Sequence, residues 1–173
     1  MESILTYKNI SIRTELKPGD LGFVIYRHGK LYAEENDYGI AFEAYVAAGL
    51  AEFYGAYDPQ KDRVWICEDE GGAIVGFLLL MHRSDEIAQL RYFYLEPETR
   101  GIGLGGFLMR LFMDFLKEKN YRRAYLWTTD EQAAAAALYE RYGFKLTEET
   151  ESSAFGKDLI EQRFDLELKN YES

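Results

Sequence analysis

The sequence contains very little cysteine and histidine among its 173 residues. Its one cysteine, Cys67, excludes a disulfide within the chain, and the apolar run Val64–Cys67 favours a small buried side chain over a reactive thiol. The two histidines, His28 and His82, are more typical of structural positions than of catalysis, and together with Cys67 they give no metal-ligand spacing. We therefore expect no metal cofactor.

The sequence also lacks a long hydrophobic run. Its longest apolar stretch covers residues 73–81, whereas a helix that spans a membrane needs about 20 apolar residues. Residues 1–12 do not show the basic and then apolar pattern of a secretory signal peptide. These absences predict a cytoplasmic protein with no membrane partner.

Positive charge is scarce as well. Lysine and arginine number 20 against 30 aspartates and glutamates, which gives a net charge of −10. A protein that binds nucleic acid needs a positive surface to neutralise phosphates, so we expect no nucleic-acid partner. The same charge weakly favours cationic or amine ligands, although solubility alone is a sufficient reason for it.

What the sequence does have is the composition of a globular protein, with 47% hydrophobic and 29% charged residues. No repeat, low-complexity tract or linker rich in proline and serine divides it. The length suits one domain with a core of its own. We therefore predict a single domain over residues 1–173.

Hydrophobic periodicity predicts a mixture of strands and helices. Strands are predicted at 10–16, 63–68, 73–81, 88–95, 124–128, 144–147 and 160–168. Helices are predicted at 21–32, 40–54, 104–119 and 133–142, and the first of these also fits a hairpin around His28. Antiparallel hairpins flank one central β-α-β unit. This order predicts an α+β fold of three layers (α/β/α), with helices on both faces of a mixed, mostly antiparallel sheet of about seven strands.

The most informative segment is the glycine-rich run Arg100–Gly106, between the strand at 88–95 and the helix at 104–119. Glycine destabilises the start of a helix unless the backbone must turn tightly or approach a ligand closely. Backbone N–H groups at a helix N-terminus attract anions, and Arg100 adds a fixed positive charge. The segment therefore predicts an anion site that suits a pyrophosphate.

The same segment offers a second interpretation. Gly101, Gly103 and Gly106 satisfy the G-x-G-x-x-G pattern of dinucleotide-binding Rossmann proteins, and Asp130 would be the acid that follows it. The pattern lies far from the first β-α turn, an arginine precedes it, and an antiparallel pair ends the chain. These features disfavour a Rossmann enzyme.

Two motifs flank the strand predicted at 124–128. Leu95–Gly105 contains the pattern [QR]-x-x-G-x-[GA] with a strand and a proline before it, and Leu138–Phe144 contains the pattern L-Y-x-x-x-G-F. They resemble the acetyl-CoA signature and the second motif of the GNAT family of N-acetyltransferases. Both occur in order with one strand between them, and the element order agrees with the family's fold. Residues 126–128 and 154–159 resemble more narrowly the acetyltransferase domain that follows a MarR-type winged-helix domain in fusion proteins. Because no DNA-binding domain fits before Ile10, this resemblance implies a stand-alone catalytic module.

The resemblance implies acetyl-CoA as co-substrate, with its pantetheine arm in a gap between the fourth and fifth strands of the family fold. The strand edge beside that arm would be Phe93, Tyr94 and Leu95, with the Leu95 N–H on the thioester carbonyl. The pyrophosphate would be held by Arg100, Gly101, Ile102, Gly103, Leu104, Gly105 and Gly106. Gln132 stands where many relatives have an asparagine that contacts the arm. Tyr139 would stand near the sulfur and protonate the leaving thiolate.

The general base is not identified by the resemblance. Some relatives have a glutamate where this chain has Gln89, and others have an acid where it has Trp127. The amine proton would then go to water or to a carboxylate of the first two predicted helices, such as Glu35, Glu43 or Glu52. Each of these glutamates also fits an ordinary solvated helix face.

The acceptor pocket is expected from residues 20–57 and the loop at 150–158. The first region is rich in aromatic side chains, which suit either a core or a pocket for an amine: Tyr26, Tyr32, Tyr38, Phe42, Tyr45, Phe53, Tyr54 and Tyr57. Arg91 would instead favour an acceptor that carries a carboxylate.

Three functions are compatible with these patterns. The leading one is an enzyme that transfers an acetyl group to a primary amine of a small molecule or amino-acid-like acceptor. A homodimer is compatible with this function. The second is a non-catalytic sensor that binds acyl-CoA, and the third is the Rossmann enzyme.

Overall fold

The computed structural model of the chain describes residues 4–169. The strands are β1 (Leu5–Tyr7), β2 (Ile10–Arg13), β3 (Arg63–Glu68), β4 (Ile74–His82), β5 (Ile87–Leu95), β6 (Arg123–Thr129), β7 (Lys145–Ser152) and β8 (Leu159–Glu167). The helices are α1 (Asp20–Asn36), α2 (Ile40–Gly55), α3 (Leu104–Glu118) and α4 (Ala133–Arg141), with a short 3₁₀ turn at Pro97–Thr99. Within the described residues, no helix combines the length and the apolar character that crossing a membrane requires.

The strands form one sheet in the order β1-β2-β3-β4-β5-β6-β8-β7. Neighbours from β1 to β5 pair antiparallel, as do β7 and β8. The β5–α3–β6 segment is the β-α-β unit that makes the sheet mixed. The predicted class, a mixed and mostly antiparallel sheet accompanied by helices, is confirmed. The sheet has eight strands instead of about seven because the sequence analysis missed β1.

Three predicted elements differ from the structure or were left open by the sequence. The segment around His28 is the helix α1 and not a hairpin. The strand predicted to reach residue 16 ends at Arg13, whose side chain donates to the Glu15 carbonyl oxygen at 2.7 Å. The strand predicted to end at residue 147 continues to Ser152, because its backbone pairs with β8 while its side chains stay almost wholly exposed. Such a strand has no hydrophobic alternation to reveal its length.

The chain forms two compact units. Within the described residues, the first unit comprises residues 4–16, 58–124 and 168–169, and the second comprises residues 17–57 and 125–167. The single domain over residues 1–173 therefore stays a prediction, and its ends at 1–3 and 170–173 lie outside the described residues.

The core of the first unit forms where α3 packs on the sheet. The apolar residues of α3 recur at helical spacing, and its buried side chains include Leu108, Phe112 and Phe115. The Trp65 ring of β3 lies 6.1 Å from the rings of both Phe112 and Phe115, measured between centroids. Burial of this apolar face fixes α3, and with it the position of the glycine-rich segment that precedes it.

The second unit has an aromatic core. The ring of His28 in α1 stacks on that of Tyr32 with centroids 5.7 Å apart and lies 6.5 Å from that of Phe42, and the Tyr32 and Phe42 rings are 4.9 Å from each other. In the other half of this unit, Phe144 and Phe164 are fully buried. Gly143 follows the end of α4 with a φ of +96°, which confirms its predicted place just after the helix.

Candidate active site

The strand β5 contains an irregularity that the sequence did not reveal. Phe77 of β4 pairs with Tyr94 and Leu79 pairs with Arg91, so two residues of β5, Tyr92 and Phe93, lie opposite Leu78 alone. This is a β-bulge, and Tyr92 has a φ of +55°, which is rare for a bulky residue. No glycine marks the position. A bulge of this kind redirects the strand that carries three of the predicted site residues.

After the bulge, Leu95 pairs with Gly76 of β4. The next pair toward the strand end is hydrogen-bonded, because the Glu96 N–H donates to the Val75 carbonyl oxygen at 2.8 Å. Pairs in an antiparallel ladder alternate, so the Leu95 N–H points away from β4 and is not used by it. The Leu95 carbonyl oxygen accepts instead from Nε of Arg100 at 3.1 Å.

The glycine-rich segment follows a compact turn. The Thr99 hydroxyl donates to the Glu96 carbonyl oxygen at 2.8 Å and closes the 3₁₀ turn at Pro97–Thr99. Gly101 and Gly103 then have φ values of +76° and +89°, in the region that other residues rarely adopt. These two residues account for the glycines that the sequence places before the helix.

The helix α3 begins at Leu104 with Gly103 as its N-cap, and among the described residues no side chain caps it. Its first turn contains no acidic residue. The first N–H groups of a helix have no partner within it, and the helix dipole is positive there. The start of α3 therefore has a backbone geometry that suits an anion, and the anion site itself stays a prediction.

Tyr7 of β1 lies beside this segment, in a position that the sequence did not predict. Its hydroxyl donates to the Ile102 carbonyl oxygen at 2.7 Å, and its ring lies 4.8 Å from that of Phe107. A Cβ atom at Gly103 would come within 2.5 Å of this hydroxyl oxygen. Position 103 therefore favours glycine for two reasons, its φ and this contact.

In the second unit, Tyr139 of α4 is buried with 5% of its surface exposed. Its ring lies 6.1 Å from that of Phe144 and 6.4 Å from that of Phe164. Burial raises the pKa of Tyr139 above its usual value of 10, and the neighbouring Tyr32 adds to the shift. The hydroxyl therefore stays protonated throughout the physiological pH range.

Gln132, the predicted pantetheine contact, is the N-cap residue of α4. Its side-chain Nε2 donates to Oδ1 of Asn36 at 3.1 Å. The backbone carbonyl oxygen of Asn36 also accepts a hydrogen bond, from Nζ of Lys157 at 3.0 Å. Gln132 thus has a partner at the end of α1, and its contact with pantetheine stays a prediction.

The two regions predicted to form the acceptor pocket meet within the second unit. Phe155, from the loop at 150–158, packs against Tyr38, Phe42 and Tyr45 with ring centroids 5.0–5.4 Å apart. The Phe155 carbonyl oxygen accepts from the Gly39 N–H at 2.8 Å. The other predicted aromatic residues differ in exposure: Phe53 is buried, whereas Tyr26 and Tyr54 are exposed.

An open cleft of about 590 Å³ lies in the same unit. The residues that line it are Asp130, Glu151, Ser152, Ser153, Asp158, Leu159 and Ile160. One of them, Asp130, accepts from the Ile160 N–H at 3.0 Å and so helps to shape the cleft.

Both histidines have structural environments. His28 is fully buried with Nδ1 2.9 Å from the Val24 carbonyl oxygen, and burial lowers its pKa to about 4. The neutral ring therefore donates from Nδ1. His82 lies with Nδ1 2.7 Å from Oδ1 of the buried Asp62. Cys67 is buried, as predicted, and burial raises its pKa to about 12.

The residues considered as the general base differ in their exposure to solvent and in their contacts. Gln89 is buried and its Oε1 accepts from Nε of Arg83 at 2.7 Å. Glu35 and Glu52 are exposed, and the Glu43 carboxylate lies over Gly29 of α1. Trp127 is exposed on β6.

The residues predicted to bind acetyl-CoA thus occur in both compact units. The first unit holds Phe93, Tyr94, Leu95 and the segment Arg100–Gly106, whereas the second holds Gln132 and Tyr139 on or next to α4. Within residues 4–169, no group of three or more histidine, cysteine or acidic side chains has the geometry of a metal site, and the absence of a metal cofactor stays a prediction.

Comparison with known proteins gives similarities to two acetyltransferases, to one solved structure and to one family model. The chain is 33% identical over 114 residues to the protein named uncharacterized N-acetyltransferase YjgM from Escherichia coli (strain K12), which covers 63% of this chain and 68% of that protein. It is 33% identical over 79 residues to mycothiol acetyltransferase from Corynebacterium efficiens, but this covers 46% of the chain and only 27% of the relative.

The crystal structure of spermidine N-acetyltransferase from Vibrio cholerae, in complex with CoA and spermine, superposes with a TM-score of 0.65 at 22% identity. The match covers 93% of this chain and 96% of that one, which supports a shared fold. Residues 23–144 match the model of the acetyltransferase (GNAT) family. This match spans both the glycine-rich segment and the L-Y-x-x-x-G-F motif, and the chain belongs to the GNAT family of N-acetyltransferases.

Proposed function

We propose that the protein transfers the acetyl group of acetyl-CoA to a primary amine of a small molecule or an amino-acid-like acceptor. The observation that carries this proposal is the start of α3, where Gly101 and Gly103 adopt positive φ values ahead of an uncapped helix. In a protein with a net charge of −10, a local nest of N–H groups is what allows a polyanionic donor to bind.

In this reaction a neutral amine attacks the thioester carbonyl carbon, a C–N bond forms, and the C–S bond breaks. Negative charge develops on the carbonyl oxygen during the attack. We assign the Leu95 N–H to that oxygen, because the pairing of β5 leaves this N–H pointing away from β4. A fixed backbone donor of this kind typically stabilises a transition state by about 3–4 kcal/mol.

We assign Tyr139 to the sulfur that leaves as a thiolate. Its raised pKa makes it a weaker acid than an ordinary tyrosine, whereas a free thiol has a pKa near 8.5. Complete proton transfer to the thiolate is therefore uphill. In this assignment the hydroxyl acts chiefly as a hydrogen-bond donor that stabilises the growing negative charge on sulfur, and its high pKa keeps it protonated.

The amine must lose a proton, since an alkylamine with a pKa near 10.4 is mostly charged at neutral pH. Gln89 cannot accept that proton and already holds Arg83. We propose that water takes the proton. Mutation of Glu35, Glu43 and Glu52 would test the alternative, in which one of these carboxylates accepts it.

The class of acceptor that we propose follows from the charge of the protein and from its aromatic side chains. The net charge favours a cationic amine, and the aromatic side chains around Phe155 suit an apolar stem with a positive end. The relatives are named for two different compounds, mycothiol and spermidine, so their names do not select one acceptor. We propose acetyl-CoA and this amine as partners, without nucleic acid or membrane, in a monomer or homodimer.

The decisive experiment measures release of free thiol from acetyl-CoA with a panel of amines, amino acids and polyamines. We expect turnover with at least one acceptor. In the same assay, Tyr139→Phe is expected to lower kcat by about 10-fold or more at unchanged CoA affinity, because it removes only the hydroxyl.

The outcomes separate the alternatives. Tight binding of CoA with no turnover on any acceptor would favour a sensor that binds acyl-CoA. Turnover of Tyr139→Phe equal to that of the wild type would remove the role assigned to this hydroxyl. Absence of CoA binding would overturn the proposed function as a whole.

A further inference from the structure

The strand β1 has no role in the function proposed above, yet its last residue contacts the donor site. Tyr7 is followed by a two-residue turn, Lys8-Asn9, and pairs with Ile10 of β2. Its ring packs on Phe107 of α3, and its hydroxyl reaches the Ile102 carbonyl oxygen. A partly buried hydrogen bond thus joins the first described strand to the middle of the glycine-rich segment.

This bond acts on a part of the backbone that would otherwise be free to rotate. Ile102 stands between Gly101 and Gly103, and glycine adopts positive and negative φ with similar ease. The Ile102–Gly103 peptide can therefore flip at low cost unless something outside the segment holds it. The Tyr7 hydroxyl, which comes from another strand, holds its carbonyl oxygen.

The carbonyl and the N–H of a trans peptide point in opposite directions. All described peptide bonds are trans, so the bond from Tyr7 turns the Gly103 N–H to the side away from Tyr7. Gly103 is the N-cap of α3, and its N–H belongs to the set that has no partner within the helix. Fixing one carbonyl oxygen therefore aims one N–H donor of the anion site.

We propose that Tyr7 is a positioning residue for the diphosphate of acetyl-CoA. It touches neither the diphosphate nor the reacting atoms, and it acts by holding the Ile102–Gly103 peptide in the orientation that presents the Gly103 N–H. This inference rests on the proposed function, because it assumes that the start of α3 binds the donor.

The test is Tyr7→Phe, which keeps the ring on Phe107 and removes only the hydroxyl. Loss of one aimed donor predicts a rise of about 3- to 10-fold in the Kd for CoA by calorimetry and in the KM for acetyl-CoA. The kcat at saturating donor should not change, since the reacting atoms lie elsewhere. With S-acetylpantetheine, which lacks the diphosphate, Tyr7→Phe and the wild type should turn over equally well.

The chain offers a matched control in Tyr121. Its hydroxyl also donates to a backbone carbonyl oxygen at 2.7 Å, that of Lys61, and it lies in the same compact unit. Tyr121→Phe therefore removes a bond of the same kind and length at a distance in sequence from the glycine-rich segment. We expect it to lower stability about as much as Tyr7→Phe while leaving the Kd for CoA unchanged.

Each result has a separate meaning. Equal CoA binding by the wild type and Tyr7→Phe would overturn the inference and leave the proposed function standing. An equal loss with acetyl-CoA and S-acetylpantetheine, or the same loss in Tyr121→Phe, would also overturn it, because the effect would be one of general stability. If the wild type binds no CoA, the proposed function fails and this inference fails with it.

If Tyr7→Phe folds poorly, backbone amide NMR of the wild type supplies a second measurement. The Gly103 amide resonance should shift when CoA is added. A Gly103 amide that does not respond while its neighbours do would contradict the orientation assigned here.

Discussion

Replacement of Gly103 by alanine should destabilise the protein through two separable effects. The φ of +89° costs a residue with a Cβ atom about 1–2 kcal/mol. The new Cβ would also lie 2.5 Å from the Tyr7 hydroxyl oxygen, so the bond to Ile102 must break or stretch at a further cost of about 1 kcal/mol. The expected loss is about 2–3 kcal/mol in the free energy of unfolding, or about 4–12 °C in Tm for a chain of this size.

Gly101→Ala is the matched control for this prediction. Gly101 also has a positive φ, +76°, but no atom of residues 4–169 lies within 4 Å of the position its Cβ would take. This variant should lose only the backbone part, about 1–2 kcal/mol. Urea unfolding of both variants measures the difference, which we assign to the contact with Tyr7.

A double-mutant cycle then tests that assignment directly. In a Tyr7→Phe background the nearest remaining atom to the new Cβ is a ring carbon at 3.6 Å, an ordinary contact distance. Gly103→Ala should therefore cost about 1 kcal/mol less there than in the wild type. The same cost in both backgrounds, or a cost no greater than that of Gly101→Ala, would refute the reasoning.

Two further predictions follow from buried groups. The pKa of His28 is about 4 in the folded protein against 6.5 when unfolded, so between these pH values the unfolded chain binds a proton that the folded protein does not. Stability should thus fall by up to about 3 kcal/mol as the pH drops from 6.5 to 4, and urea unfolding of His28→Gln should lack this part of the pH dependence. Cys67 should not react with a thiol reagent until the protein unfolds, because it is fully buried and its pKa is raised to about 12. Rapid labelling of the native protein would contradict this. If labelling is slow, the Cys67 thiol adds no background signal to the assay that measures thiol release from acetyl-CoA.

Much of the backbone structure around the glycine-rich segment could be predicted because its signals are local. The helix α3 repeats apolar residues over four turns, and glycines directly before a helix indicate a tight turn or a close approach of the backbone. The turn Pro97–Thr99 and the end of α4 at Gly143 carry the residues that such boundaries prefer.

Other parts of the site leave no local signal. The strand β1 has three residues, too few for an alternating pattern, and the contact of Tyr7 joins residues 95 positions apart in the sequence. The bulge at Tyr92 uses a tyrosine with a positive φ where a glycine would have revealed it. Both features depend on tertiary packing, which periodicity cannot express.

The separation between Tyr7 and Ile102 also has a consequence for synthesis of the protein in the cell. A ribosome adds about 5–20 residues per second, so the first strand waits roughly 5–20 s before its partner emerges. Until then the peptide that the Tyr7 hydroxyl later contacts has not been made. This hydrogen bond can therefore form only after the strands β2 to β5 have been synthesised, so it joins an early part of the chain to a much later one.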